Sequence, residues 1–166
     1  WIMESNLAIK RLFLAGFFGA EMSTPKTSSK TCFHCPVIDQ SKIYGLEGDR
    51  DFLVGLTLLL NEFDVKNIRI TEIDNFVNNY GERTKRLRLI ISSEEDCLKL
   101  WRKVGFEYNQ KRQRMANIAS LYILLKQKEN LRRFELANEI KYYKSIGFKI
   151  SDVKKTLKDK INERFV

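Results

Sequence analysis

The segment FLAGFFGAEMS, residues 13–23, closes an apolar run with a single carboxylate, Glu21. If the run is helical, its small residues share one stripe in pairs four positions apart: Ala15 with Gly19, and Gly16 with Ala20. Such a stripe lets a second helix approach closely. If that helix is a symmetric copy, two Glu21 carboxylates meet at the foot of the pair. Paired carboxylates suit the binding of Mg²⁺ and the hydrolysis of a phosphodiester.

A second group of candidate residues is polar or basic and occupies three segments with strand-like alternation. We expect these side chains on a polar face of a sheet, where a partner could reach them. They are His34, Gln40 and Lys42 in the first segment, Arg69 and Thr71 in the second, and Arg86 and Arg88 in the third. The alternative is that they only hydrate a half-exposed sheet.

The run CFHC combines Cys32 and Cys35 with the only histidine, His34. The spacing is typical of half a zinc site or a redox pair. No second CxxC occurs in the sequence, and two strand residues three apart point to opposite faces. We therefore do not predict a zinc site here.

Composition favours a polyanionic partner. The 166 residues include 30 lysines and arginines against 21 acids, for a net charge of +9, and 43% are hydrophobic. A chain of this kind buries one core and carries at most a small appendage. Its charge favours nucleic acid over acidic lipid. Three cysteines form no disulfide framework, so we expect a reducing, cytoplasmic setting. Because the chain starts at Trp1, we expect a processed or partial polypeptide.

Helices and strands alternate along the first three quarters of the sequence, which predicts an α+β fold. The first helix is predicted over 7–20 with Ser5 or Asn6 as its cap, and it must be buried in its second half. The apolar run from Leu12 to Ala20 is too short to span a bilayer. Its likeness to a signal peptide is opposed by the cytosolic character of the rest of the sequence, including the unpaired cysteines. The other predicted elements are a strand over 31–42, a helix over 50–65, a hairpin of strands 67–73 and 85–93, a helix from 94, and a helix over 111–127.

The segment LAGFFGAEMS resembles the signature of the LAGLIDADG homing endonucleases. Leu14, Ala15, Gly16 and Ala20 match the pattern, and Glu21 stands at the catalytic acid. Two residues depart from it, because Met22 replaces the usual glycine and the acid is glutamate rather than aspartate. The resemblance covers about residues 7–128.

The resemblance implies an αββαββα saddle whose twisted antiparallel sheet lies in the major groove of double-stranded DNA. It also implies that the polar and basic side chains of the three strand segments contact the nucleic acid and read base edges. With one motif, the chain would act as a homodimer that cleaves both strands with Mg²⁺ held by Glu21. Gln40 would help to position water, and Lys111 or Arg112 would supply the basic residue of the site. Lys111, Arg112 and Arg114 could instead only contact phosphates or solvate a helix start.

Residues 129–166 form a basic, helical tail that resembles the helix-turn-helix modules following such cores in archaeal inteins. Helices are predicted to end near Gly147, to run from Ser151 to about Leu157, and to start again near Ile161. A basic brace packed on the core is the alternative.

Two functions remain open at this point. The first is a Mg²⁺-dependent homing endonuclease. The second is a cleavage-inactive descendant that serves as an RNA-binding maturase, a transcription regulator or a subunit of a larger ribonucleoprotein assembly. Met22 and Glu21 are the residues that keep the second function open.

Overall fold

The computed structural model describes residues 1–29, 32–43, 48 and 50–157. The chain divides into two compact units, Trp1–Ile123 and Leu124–Val166. The predicted α+β class is confirmed. Its elements are α1 (Leu7–Glu21), β1 (Val37–Ile43), α2 (Asp51–Asn61), β2 (Ile68–Val77), β3 (Arg83–Ile91), α3 (Glu94–Lys99), α4 (Gln110–Ser145) and α5 (Ile150–Thr156), with a 3₁₀ turn at Ile2–Glu4 and a π-helical turn at Leu100–Val104.

The three strands form one antiparallel sheet in the order β1-β3-β2. β3 lies in the centre and is paired on both sides, so Leu89 faces Ile38 on β1 and Ile70 on β2. An irregularity between Ile73 and Phe76 interrupts the β2 register. Such a bulge bends the strand and increases its twist.

The first strand is shorter than predicted, because it starts at Val37 and not at residue 31. Pro36 precedes it and has no N–H to donate, although its carbonyl accepts from Ile91 N at 3.1 Å. Phe33 makes only an isolated bridge with Thr27. Among the described residues ahead of α2, β1 is the one strand, where the αββαββα order predicts two.

One hydrophobic core holds the first unit together. From β3 it takes Leu87, Leu89 and Ile91, which are all fully buried. The helical side chains in the same cluster include Leu14 and Phe18 of α1, Leu53, Leu56 and Leu60 of α2, and Trp101 of the π-helical turn. Each buried aliphatic side chain stabilises the fold by about 1.5–3 kcal/mol relative to exposure. This burial fixes which face of the sheet the helices cover.

The C-terminal end of α1 is fastened to the start of α4. The Arg112 guanidinium donates to Phe18 O at 3.0 Å and to Gly19 O at 2.8 Å. The Asn109 amide donates to the same Gly19 carbonyl at 2.7 Å. The last carbonyls of a helix lack intrahelical partners, and a cation there also complements the helix dipole. Arg112 therefore caps α1.

Gly19 allows this close approach. A Cβ at this position would lie 2.5 Å from the carbonyl oxygen of Glu107, while Glu107 N donates to Ala15 O at 3.0 Å. A backbone carbonyl cannot swing away as a flexible side chain can. At Gly16, three residues earlier in α1, no atom lies within 4 Å of the position that a Cβ would take.

We expect Gly19→Ala to lower the free energy of unfolding by about 1–3 kcal/mol, because the added methyl overpacks against the Glu107 carbonyl. Gly16→Ala is the matched control and should be neutral or stabilising by up to about 1 kcal/mol, as helix propensity predicts. Urea unfolding of the two variants measures both values. Equal effects at the two positions would contradict the close packing.

Asp96 joins three segments through hydrogen bonds. It is 1% exposed and accepts from Lys66 N at 3.1 Å, from Asn67 N at 3.0 Å and from the Ser93 hydroxyl at 2.7 Å. Burial alone would raise the pKa of Asp96, but these bonds stabilise the carboxylate and lower its pKa from 3.8 to about 2. The charged form is therefore the one that holds the loop before β2 against α3.

Because the pKa of Asp96 is lower in the folded chain, its carboxylate stabilises the fold above pH 3.8, and this contribution is lost as pH falls toward 2. We expect Asp96→Asn to lower the free energy of unfolding at pH 7 by about 2–4 kcal/mol, with a smaller difference from wild type near pH 2. Glu95→Gln, at an exposed neighbouring carboxylate, should cost less than about 0.5 kcal/mol. Denaturant titrations across this pH range would contradict the assignment if the Asp96→Asn deficit did not shrink.

The second unit is helical in its described part. Leu136, Val153 and Leu157 form a small core, against which Ile140 and Tyr143 pack. α4 ends before Gly147, whose φ of 90° suits a glycine at a helix end. The predicted third helix near Ile161 lies outside the described residues, so the helix-turn-helix remains a prediction. No helix in the described ranges, the 36-residue α4 included, is both long and apolar enough to cross a membrane.

Candidate nucleic-acid interface

The sheet face away from the core carries a row of guanidinium groups. On β3, Arg86 and Arg88 alternate with the buried Leu87 and Leu89, as the sequence predicts. Cross-strand partners in an antiparallel pair share a face. The open face therefore also holds the cross-strand partners of Arg86, Arg88 and Ile90. On β1 these partners are Ser41, Asp39 and Val37, and on β2 they are Ile73, Thr71 and Arg69, in the same order.

This open face is positively charged. Its described side chains include three arginines, at 69, 86 and 88, and one carboxylate, Asp39. Arg88 Nε donates to Asp39 Oδ1 at 2.6 Å, with side-chain exposures of 32% and 49%. An exposed pair of this kind adds about 0–1 kcal/mol to stability. Its main effect is to hold the Arg88 guanidinium in one orientation above the sheet.

Gln40 and Lys42 do not lie on the face with the arginines, and the prediction that they do is wrong. Gln40 pairs with Leu87 and Lys42 pairs with Lys85, which places both on the core side of β1. Buried Ile38 fixes this parity. The Gln40 Oε1 atom is buried and has no hydrogen-bond partner in the described part of the chain.

His34 lies before β1, not in the sheet. Its side chain is exposed, and its N–H donates to Lys26 O at 2.9 Å. Arg69 and Thr71, in contrast, belong to β2 and share the open face with Arg86 and Arg88, as predicted. A continuous β-strand through 31–42 would have placed His34 on the core side with Ile38 and Gln40, but Pro36 precedes the start of the strand.

Two of the predicted catalytic residues, Glu21 and Arg112, lie at the end of α1. Glu21 is the exposed last residue of α1, and Met22 after it is fully buried. Arg112 is held against α1 by the hydrogen bonds described above, and a guanidinium so engaged caps the helix. Lys111 and Arg114 are exposed on the first turns of α4. Catalytic roles for Glu21, Gln40, Lys111 and Arg112 stay predictions.

The predicted Mg²⁺ site stays a prediction. In the described ranges, no three or more His, Cys, Asp or Glu side chains are grouped so that they could hold a metal ion. Glu21 is a single carboxylate, and Mg²⁺ needs several oxygen ligands in octahedral geometry. The three cysteines, Cys32, Cys35 and Cys97, are not joined by disulfide bonds.

The small-residue stripe of α1 is divided between two environments. Ala15 and Gly19 are buried inside the chain, where Glu107 covers them. Gly16 has open space beside it, and Ala20 is exposed. The prediction that all four face a symmetric partner is therefore corrected: Ala15 and Gly19 serve intrachain packing. Whether Gly16 and Ala20 contact a second copy remains a prediction.

The chain is similar to parts of longer proteins. It is 33% identical over 171 residues to the tRNA-splicing ligase RtcB of Pyrococcus furiosus and 30% identical over 172 residues to RtcB of Methanopyrus kandleri. Each match covers 100% of this chain and 16% of the relative. A third relative is the DNA-directed RNA polymerase subunit Rpo1N of Methanocaldococcus jannaschii, 25% identical over 140 residues, with 81% of this chain and 10% of the relative covered.

The chain thus spans about one sixth of the length of the curated ligases that it matches. No family model matches the sequence. No solved structure matches it either. The prediction of a homing endonuclease of intein type that cleaves double-stranded DNA is wrong on these comparisons, because the relatives are named as an RNA ligase and an RNA polymerase subunit.

Proposed function

We propose that this chain is an RNA-binding module of a longer polypeptide, and that the open face of its sheet is the contact surface. The observation that carries the proposal is the row of Arg69, Arg86 and Arg88 on one face while helices cover the other. The proposal assigns no catalytic step to the chain.

The chemistry of the open face suits a phosphate backbone. Guanidinium groups bind phosphate oxygens in a bidentate manner and stack on bases. Thr71 and Ser41 add hydroxyl donors beside the arginines, and the net charge of +9 attracts a polyanion from a distance. A three-stranded surface with alternating cations and hydroxyls can follow a curved backbone without reading base edges at every position.

The relatives support RNA over DNA as the ligand. Their names denote a ligase that splices tRNA and a subunit of an RNA polymerase. The two relatives are named for different activities, and the region similar to this chain is a small share of each of them. This pattern supports a module whose contribution is separable from ligation and from polymerisation. Three cysteines without disulfide bonds are consistent with a reducing, cytoplasmic setting for the module.

The resemblance of the α1 segment to the LAGLIDADG signature stays a prediction. Within this proposal the chain corresponds to the second function left open by the sequence, a non-cleaving nucleic-acid binder inside a larger assembly. Glu21 then needs no metal, since it is exposed and solvated.

The double variant Arg86→Ala/Arg88→Ala should weaken binding of a fluorescein-labelled RNA hairpin about ten- to hundredfold. It should also reduce the salt dependence of the logarithm of affinity by about one unit for each lost phosphate contact. Fluorescence anisotropy at salt concentrations from about 50 to about 200 mM measures both quantities, because the Debye length falls roughly by half over this range.

The control pair is Arg102→Ala/Lys103→Ala, which removes the same charge from the π-helical turn. An equal loss of RNA affinity in the control pair would mean that only the net charge of the chain matters. It would contradict the assignment of the sheet as the contact surface. A DNA hairpin of the same sequence that binds as tightly as the RNA would contradict the choice of RNA.

Asp39→Asn should raise the affinity for the RNA hairpin about two- to tenfold. The change removes the one described carboxylate of the open face and releases Arg88 from its pair. The free energy of unfolding should change by less than about 1 kcal/mol, because the pair is solvent-exposed. Unchanged or weaker RNA binding in the same anisotropy assay would mean that Arg88 does not contact the ligand.

A further inference from the structure

A fully exposed aromatic ring stands at the junction of the π-helical turn and α4. Tyr108 is 93% exposed, and its backbone has a φ of 60°. The residues on both sides of it are fixed, since Glu107 N donates to Ala15 O and the Asn109 amide donates to Gly19 O. The ring is thus presented to solvent from a short loop that is tied to α1 on either side.

Tyr108 borders an open cavity of about 580 Å³ that the sheet does not line. The other side chains of its wall that matter here are Gln110, Gln113, Arg114 and Asn117 of α4. Ligand pockets usually hold about 300–1,000 Å³, so one nucleotide fits in this volume.

The polar side chains of the cavity differ in whether they already have hydrogen-bond partners in the protein. Gln113 is fully engaged, because its Oε1 accepts from Phe106 N at 2.8 Å and its Nε2 donates to Asn117 Oδ1 at 2.9 Å. This second bond leaves the Asn117 Nδ2 group to donate elsewhere. Within the described residues, neither the Gln110 side chain nor the Arg114 side chain has a hydrogen bond to the protein.

The charges of the cavity disfavour a ligand that is only an anion. Arg114 contributes one cation, while Glu107 contributes a carboxylate that accepts from Arg11 at 3.3 Å. A site that combines a flat aromatic face, amide groups and one guanidinium matches a nucleotide, which has a flat base, polar base edges and one phosphate. In a duplex the base faces are stacked and cannot reach a protein ring, so the nucleotide must be unpaired.

We infer that this cavity binds one unpaired nucleotide of single-stranded RNA. The base stacks on Tyr108, Gln110 and the Asn117 amide hydrogen-bond its edge, and Arg114 contacts the phosphate. The choice of RNA rests on the proposed function, whereas the site itself is separate from the arginines of the sheet.

The test is the affinity of the whole chain for a fluorescein-labelled decauridylate RNA, measured by fluorescence anisotropy. Tyr108→Leu should weaken binding about tenfold, because loss of one stacked base costs this much or more. Tyr108→Phe keeps the ring and should stay within about twofold of wild type. Tyr80→Leu is the matched control, since Tyr80 is 88% exposed and does not line the cavity.

Several outcomes would overturn the inference. They are no measurable binding of decauridylate to the wild-type chain, unchanged binding by Tyr108→Leu, or an equal loss in Tyr80→Leu. Tighter binding of a ten-residue thymidylate DNA would overturn the assignment to RNA. A blunt-ended RNA duplex, which has no unpaired nucleotide, separates the two proposals: Tyr108→Leu should not alter its binding, while Arg86→Ala/Arg88→Ala should. Circular dichroism spectra that match wild type show that each variant is folded.

Discussion

The central position of β3 is the constraint on which the rest of the first unit depends. Because β3 is paired on both sides, its backbone groups are satisfied along its length and its side chains can only point up or down. Leu87, Leu89 and Ile91 enter the core from one face. Arg86 and Arg88 are therefore forced to the other face, and a shift of register by one residue would bury both charges. The two-residue period of β3 therefore decides both which of its side chains are buried and which face carries its charges.

The contact between α1 and the start of α4 has a comparable role at the other end of the core. Gly19 gives the space, and Arg112 and Asn109 occupy the free carbonyls of the α1 terminus. The contact holds Tyr108 outward and places Glu21 next to a helix end that is already capped. The contact between α1 and α4 thus determines the surroundings of both Tyr108 and Glu21.

Local patterns gave a good account of what depends on neighbouring residues. The cap Asn6, the span of α1, the hairpin of β2 and β3 and the opposed faces of β3 follow from composition and period, and the structure agrees. The alternation that places Ile38, Gln40 and Lys42 on one side of the strand was right, but this side was taken for the open face and is the core side. Ile38 was the signal that could have corrected it, since an aliphatic residue in the middle of a strand marks the core side.

Contacts between distant segments were beyond such patterns. The partner of Gly19 lies 88 positions later in the chain, at Glu107, so a stripe of small residues could not reveal whether it packs within the chain or against a copy. The same distance conceals the capping role of Arg112, which in the sequence is one of several basic residues at a helix start. Tyr108 has no periodic pattern around it, and only its exposure and the cavity beside it make it a candidate.

The strand order also has a consequence for the order of folding events. β2 and β3 are joined by a turn of a few residues, in which Asn78 Oδ1 accepts from Tyr80 N and Glu82 N, so this pair can close locally. β1 must find β3 from much farther away, because Ile43 pairs with Thr84. Closing a longer loop costs more chain entropy and is slower. We therefore expect the strand that supplies Asp39 and Ser41 to join after the hairpin that carries Arg86 and Arg88 has begun to pair.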